Sequence, residues 1–126
     1  MHGEETRSRA AGRVWLWLFV VVVAIHLAAL YWPRVSVHGP VAWTDKVVHV
    51  TLFAAPALVG LLAGVRPAYL LVPLALHAPV SELLQHAVLP NRSGDVWDAV
   101  ADLSGVVVGV VVGATIGMVS RTRARW

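Results

Sequence analysis

Apolar residues do not alternate with polar ones along most of this chain. They run together in four stretches, at about 14–32, 45–64, 68–89 and 97–119. A helix rises about 1.5 Å per residue and needs roughly 20 apolar residues to cross a bilayer core, so each stretch can span. The pattern predicts an all-α integral membrane bundle of four transmembrane helices, a single membrane domain over residues 1–126. The links at 33–44, 65–67 and 90–96 are short, which makes successive helices antiparallel neighbours. The first stretch follows an arginine-bearing segment, as a secretory signal would. It is longer than a usual signal core and no small-x-small cleavage site follows it, so a retained helix is expected. Trp15, Trp17, Tyr31 and Trp32 are expected as interfacial aromatics of that helix.

Composition sharpens this picture. Hydrophobic residues make up 58% of the 126 and charged residues only 13%, against about 25% charged in an ordinary soluble domain. Arginines cluster in both tails, at Arg7, Arg9 and Arg13 and at Arg121, Arg123 and Arg125. Beside apolar spans such clusters set topology and meet anionic lipid; the partner they imply is the bilayer, not nucleic acid. With Arg66, seven of the ten cations fall on the side of the tails, leaving Arg34, Lys46 and Arg92 opposite. Both termini are therefore expected in the cytoplasm. The absence of cysteine excludes disulfides and thiolate chemistry.

Against this background the charges inside the spans stand out. Ionisable groups near the hydrocarbon are costly and are kept paired or functional. Asp45, Lys46 and His49 open the second span, with Asp45 and His49 four apart on one face and Phe53 continuing it. There Asp45 can fix the tautomer of His49 or hold its positive form. Glu82, Gln85 and His86 share a face near the end of the third span, one turn past the helix-kinking Pro79. Asp95, Asp98 and Asp102 begin the fourth, after Arg92, the nearest cation for a forked clamp on a carboxylate or phosphate. Counted by helix rise, all three groups lie at similar depth on the side opposite the tails, which predicts one outward-facing site. Its binding residues are Asp45, Lys46, His49, Glu82, Gln85, Arg92, Asp95, Asp98 and Asp102, and its candidate catalytic groups are Glu82, Asp98 and His49. Five carboxylates against Lys46 and Arg92 leave a surplus of three negative charges before histidine titrates. In a low dielectric that surplus requires a proton or a bound cation. No ligand spacing matches a known metal motif, so no metal is assigned and no cofactor is named. Ser81 and Ser104 are the nearby hydroxyls, neither with an evident base.

Two further patterns concern packing. Gly105, Gly109, Gly113 and Gly117 form a small-residue stripe, spaced four apart, along which another helix can approach closely. The partner is either a helix of the same chain or a second copy, giving a homo-oligomer. His26 and His77 are lone histidines within spans, expected to be hydrogen-bonded inside the bundle.

Three pieces together resemble the VanZ-like family of small bacterial membrane proteins: Asp45-Lys46-x-x-His49-x-x-x-Phe53, Glu82-x-x-Gln85, and Arg92-x-x-Asp95-x-x-Asp98-x-x-x-Asp102-x-x-Gly105. They fall in the family's order and spacing between residues 45 and 109. The family usually carries Asn where this chain has Asp102, so the site here gains a charge or a proton. The resemblance implies a multi-pass protein of the bacterial cytoplasmic membrane, in a family whose founding member is associated with low-level resistance to the glycopeptide teicoplanin. The favoured function is binding or modulation of a lipid-linked or cell-wall component of the envelope. The alternatives are an intramembrane enzyme, with Glu82 or Asp98 as general base and His49 as proton carrier, and a proton-coupled transporter subunit.

Overall fold

A computed structural model describes residues 2–32, 39, 41–89 and 95–123, with the side chains of residues 2–4, 8 and 121–123 left aside. The described residues form four helices: α1 (His2–Tyr31), α2 (Thr44–Leu62), α3 (Pro67–Val88) and α4 (Val96–Arg123). All four are long and apolar enough to cross a membrane, and no strand occurs among the described residues. α2 and α3 begin and end within two residues of the apolar stretches at 45–64 and 68–89. α1 starts a dozen residues earlier than its apolar stretch, because the polar segment before it is rich in good helix formers. Large apolar side chains such as Trp17, Leu83, Val107 and Val111 point outward. Such outward faces suit lipid, and fit a multi-pass membrane protein.

The ends of α2 and α3 follow from local chemistry. Gly64 takes φ of +82°, a left-handed conformation that glycine adopts without strain. The Val65 amide then bonds the Gly60 carbonyl and the Gly64 amide bonds the Leu61 carbonyl, both at 3.0 Å, which closes the helix. Pro67, with no amide hydrogen to leave unpaired, opens α3. α3 continues as a helix through Pro73 and Pro79.

α2 and α4 are the most extensively packed pair. A methyl group at Gly105 would meet the Val50 carbonyl, one at Gly109 the Ala54 carbonyl, and one at Gly113 the Leu61 side chain. The contacts advance together along both chains, so α2 and α4 run parallel, with α1 and α3 opposite in direction. The glycine stripe is therefore used inside the chain. Of the two partners the stripe could take, α2 of the same chain fills three of its four positions; at Gly117 the space is open. Phe53, Leu30, Ala78 and Val106, one from each helix, form the buried apolar centre.

Candidate functional site

Parallel packing of α2 and α4 brings their first turns together, and α3 returns its last turns to the same end. The three helices there assemble two tiers of polar groups. The outer tier is part-exposed at Asp45, Lys46 and Asp95, with Asp98 buried beneath them. The Lys46 ammonium stands 3.3 Å from Asp45 and 3.4 Å from Asp95, and makes its closest contact with Asp98. Arg92, expected as the clamping cation, lies outside the described residues, as does Arg34; among the described residues Lys46 takes that part. Asp95 also caps α4, its Oδ1 accepting the Trp97 amide at 3.1 Å. That bond first, and the Lys46 ammonium after it, hold the Asp95 carboxyl below the ordinary carboxylate range.

The inner tier is buried. His49 is 6% exposed, Glu82 7% and Asp102 0%. The His49 Nδ1–H donates to Asp102 Oδ1 at 2.8 Å, and the same nitrogen lies 3.7 Å from Glu82 Oε1. On the far side of the ring, Nε2 stands 3.9 Å from both Asp45 Oδ1 and Asp98 Oδ2. The tautomer of His49 is thus set by Asp102 and not by Asp45, as i,i+4 spacing suggested, because the Asp45 carboxylate turns to Lys46 while α4 brings Asp102 within reach. Glu82 Oε2 accepts the Asp95 amide at 3.1 Å, anchoring the start of α4. Two carboxylate oxygens of this tier, Glu82 Oε1 and Asp102 Oδ2, are buried without a hydrogen-bond partner. Two sets of three donors each lie close enough to share an ion: His49, Glu82 and Asp102, and Asp45, His49 and Asp98.

Not every expected residue joins the site. Gln85 is buried, but its amide donates to the Leu30 carbonyl at 3.0 Å, tying α3 to α1. His86 is exposed. Ser81 and Ser104 donate to Ala78 and Val100 carbonyls of their own helices, so neither hydroxyl faces a base.

One turn deeper, the two lone histidines bond each other. Pro56 lacks an amide hydrogen, so the Leu52 carbonyl has no helical donor. His26 Nδ1–H fills the gap at 2.8 Å. With that proton fixed, His26 Nε2 accepts from His77 Nδ1–H at 3.1 Å, and His77 Nε2 accepts from the Tyr31 hydroxyl at 2.7 Å. Every donor in this chain finds an acceptor with both rings neutral. Tyr31, expected as an interfacial aromatic, turns its hydroxyl inward. The buried Phe53 ring lies edge-on to His26 with centroids 4.7 Å apart, between this chain and the acidic tiers. The sequence signal for the link was Pro56 on a buried face.

Among the described residues, fold and site together define four helices, each long and apolar enough to cross a membrane, with a two-tiered acidic cluster at one end of the bundle. Comparison with known protein families, curated proteins and solved structures finds no match. The functional reading therefore rests on the residues and their geometry.

Proposed function

We propose that this chain is a VanZ-like, multi-pass protein of the bacterial cytoplasmic membrane that binds a lipid-linked or cell-wall component at its acidic site. In this reading both termini are cytoplasmic and the site opens to the outer leaflet. The family assignment rests on the motif resemblance, as does a link to teicoplanin susceptibility. The observation that carries the binding function is the two-tier arrangement: a part-exposed rim of Asp45, Lys46 and Asp95 over a buried floor of His49, Glu82 and Asp102. A rim that carries both signs of charge suits a head group bearing hydroxyl or amine beside phosphate, held in place at membrane depth. Ser81 and Ser104, each bonded to its own helix, weigh against an acyl-enzyme route through either hydroxyl.

The test is native mass spectrometry of the chain extracted into lipid nanodiscs, with lipids identified after release. Wild type should retain a phosphate-bearing lipid that Lys46→Ala and Asp98→Asn both lose while remaining folded. Equal lipid content in all three would refute the proposal. Orientation is checked separately by tag accessibility in intact cells, where an external C-terminus would reverse the site's side. A second reading, an intramembrane acid–base enzyme, is favoured by the 2.8 Å carboxylate–imidazole pair of Asp102 and His49. Turnover of the co-purifying lipid by wild type but not by His49→Gln would establish it.

A further inference from the structure

We propose that His49, Glu82 and Asp102 form a binding site for one divalent first-row transition ion, of the Zn2+ or Mn2+ kind. Each residue offers one donor atom, and the three donors lie within 4.8 Å of one another. His49 Nδ1 is 2.8 Å from Asp102 Oδ1 and 3.7 Å from Glu82 Oε1. Donors bound at about 2.0–2.2 Å around a tetrahedral or octahedral ion are separated by distances of this order. The independent sign of a missing partner is the pair of unsatisfied oxygens, Glu82 Oε1 and Asp102 Oδ2, on side chains that are 7% and 0% exposed. Buried carboxylate oxygens ordinarily have a donor or a cation beside them.

Charge decides the valence. The outer set, Asp45, His49 and Asp98, already holds a cation, since Lys46 is paired with both aspartates. The inner set has no lysine or arginine against it among the described residues. A dication with a neutral imidazole cancels the two inner carboxylates, leaving no net charge in the buried tier. The donor types decide the class of ion. Mg2+ and Ca2+ favour all-oxygen shells, whereas an imidazole beside carboxylates suits Zn2+, Mn2+ or Fe2+. Binding leaves the proton count of the ring unchanged: Nδ1 gives its proton to solvent and turns the freed lone pair to the ion, while Nε2 takes up one proton, so His49 passes from the neutral Nδ1–H to the neutral Nε2–H form. That proton then points at Asp45 and Asp98, 3.9 Å away, which would orient the ring from behind as carboxylates do for zinc-bound histidines. Three protein ligands leave a coordination position free for an oxygen of the ligand.

This inference deepens the binding function by supplying a group that takes an anionic oxygen into an acidic site, and the experiment separates the two. The full chain, purified in nanodiscs without a polyhistidine tag, is stripped with chelator, titrated with ZnCl2 or MnCl2, and assayed for bound metal by mass spectrometry. Wild type and the exposed-histidine control His86→Ala should each hold about one ion, with MgCl2 failing to compete. Glu82→Gln and Asp102→Asn should each weaken affinity at least about tenfold. Histidine 15N spectra of wild type should show one ring changing tautomer on loading, a readout that does not depend on any variant folding. No bound ion in wild type, or full affinity in folded Glu82→Gln and Asp102→Asn, overturns the metal site. Lipid retained by metal-stripped wild type would leave the binding function standing without the ion. An ion bound with no lipid would do the reverse.

Discussion

Four alanine substitutions along one face of α4 test the packing that builds the site. Gly105, Gly109, Gly113 and Gly117 share a helix and a stripe, so the gain in helix propensity on adding a methyl, roughly 0.5–1 kcal/mol, is common to all and cancels in comparison. What differs is the obstacle. At Gly105 and Gly109 the new Cβ meets backbone carbonyls of α2, at Val50 and Ala54, and the Ala57 Cβ stands 2.8 Å from the second. Backbone cannot swing away, so the helices must part. Overpacking of this kind costs about 1–3 kcal/mol, and a rigid obstacle puts it in the upper half of that range. At Gly113 the nearest atom is Leu61 Cδ1, at 2.9 Å, the end of a flexible side chain. At Gly117 nothing lies within 4 Å. Stability in detergent, read from denaturant midpoints, should fall in the order Gly117→Ala, Gly113→Ala, then the other two, with about 2–3 kcal/mol between the extremes. Four variants agreeing within about 0.5 kcal/mol, the spread of ordinary surface changes, would refute the internal use of the stripe. An oligomer lost in Gly105→Ala at unchanged monomer stability would assign those glycines to a second copy instead.

The other predictions concern single hydrogen bonds. Asp95→Ala removes the acceptor for the Trp97 amide and should lower the melting temperature, while Asp95→Asn keeps most of the cap. Because the folded Asp95 carboxyl lies below its usual range, its contribution is present above the unfolded pKa of about 3.9 and is lost only as pH falls through the lower folded value. Melting curves of wild type and Asp95→Asn should therefore converge only at acid pH. His26→Phe leaves the Leu52 carbonyl unpaired and should cost about 1–3 kcal/mol. Pro56→Ala restores that carbonyl's helical donor, so in a double-mutant cycle the loss of His26 should be milder on the Pro56→Ala background; strict additivity would break the proposed link. Glu82→Gln keeps an acceptor for the Asp95 amide and replaces the unpaired oxygen with a group that can donate to Asp102. In chelator it should stabilise the chain by about 1–3 kcal/mol relative to wild type, and a melting temperature below that of wild type would contradict this.

The helices were legible because a run of about 20 apolar residues has few alternatives, and Asp45, His49, Glu82, Asp98 and Asp102, at similar depth by helix rise, lie around one imidazole. Pairing was harder to read. Spacing on one helix proposed Asp45 as the partner of His49, but which carboxylate reaches a histidine depends on how closely a neighbouring helix approaches. Gln85 lies on the right face of α3 yet bonds α1, because the Leu30 carbonyl near the end of α1 takes its amide. The His26–His77–Tyr31 chain joins residues 26, 31 and 77 across a bundle interior, and no local period signals it. Its one sequence clue is indirect, the carbonyl that Pro56 frees four residues earlier.

The choice of acid on each helix follows from the same geometry. α4 lies against α2 along glycines, so a short aspartate at 102 suffices to reach His49 at 2.8 Å. α3 packs less extensively on α2, and there the longer glutamate at 82 spans the gap to the same imidazole and to the first amide of the Asp95 turn. Aspartate at 98 and 102 continues the register of Gly105 and Gly109, so the face that allows close approach is also the face that delivers carboxylates. The acidic site and the tightest helix contact are thus parts of one stripe. A side chain larger than glycine at 105 should push α2 and α4 apart at the turn that carries both Asp102 and His49, and so lengthen the 2.8 Å bond between them.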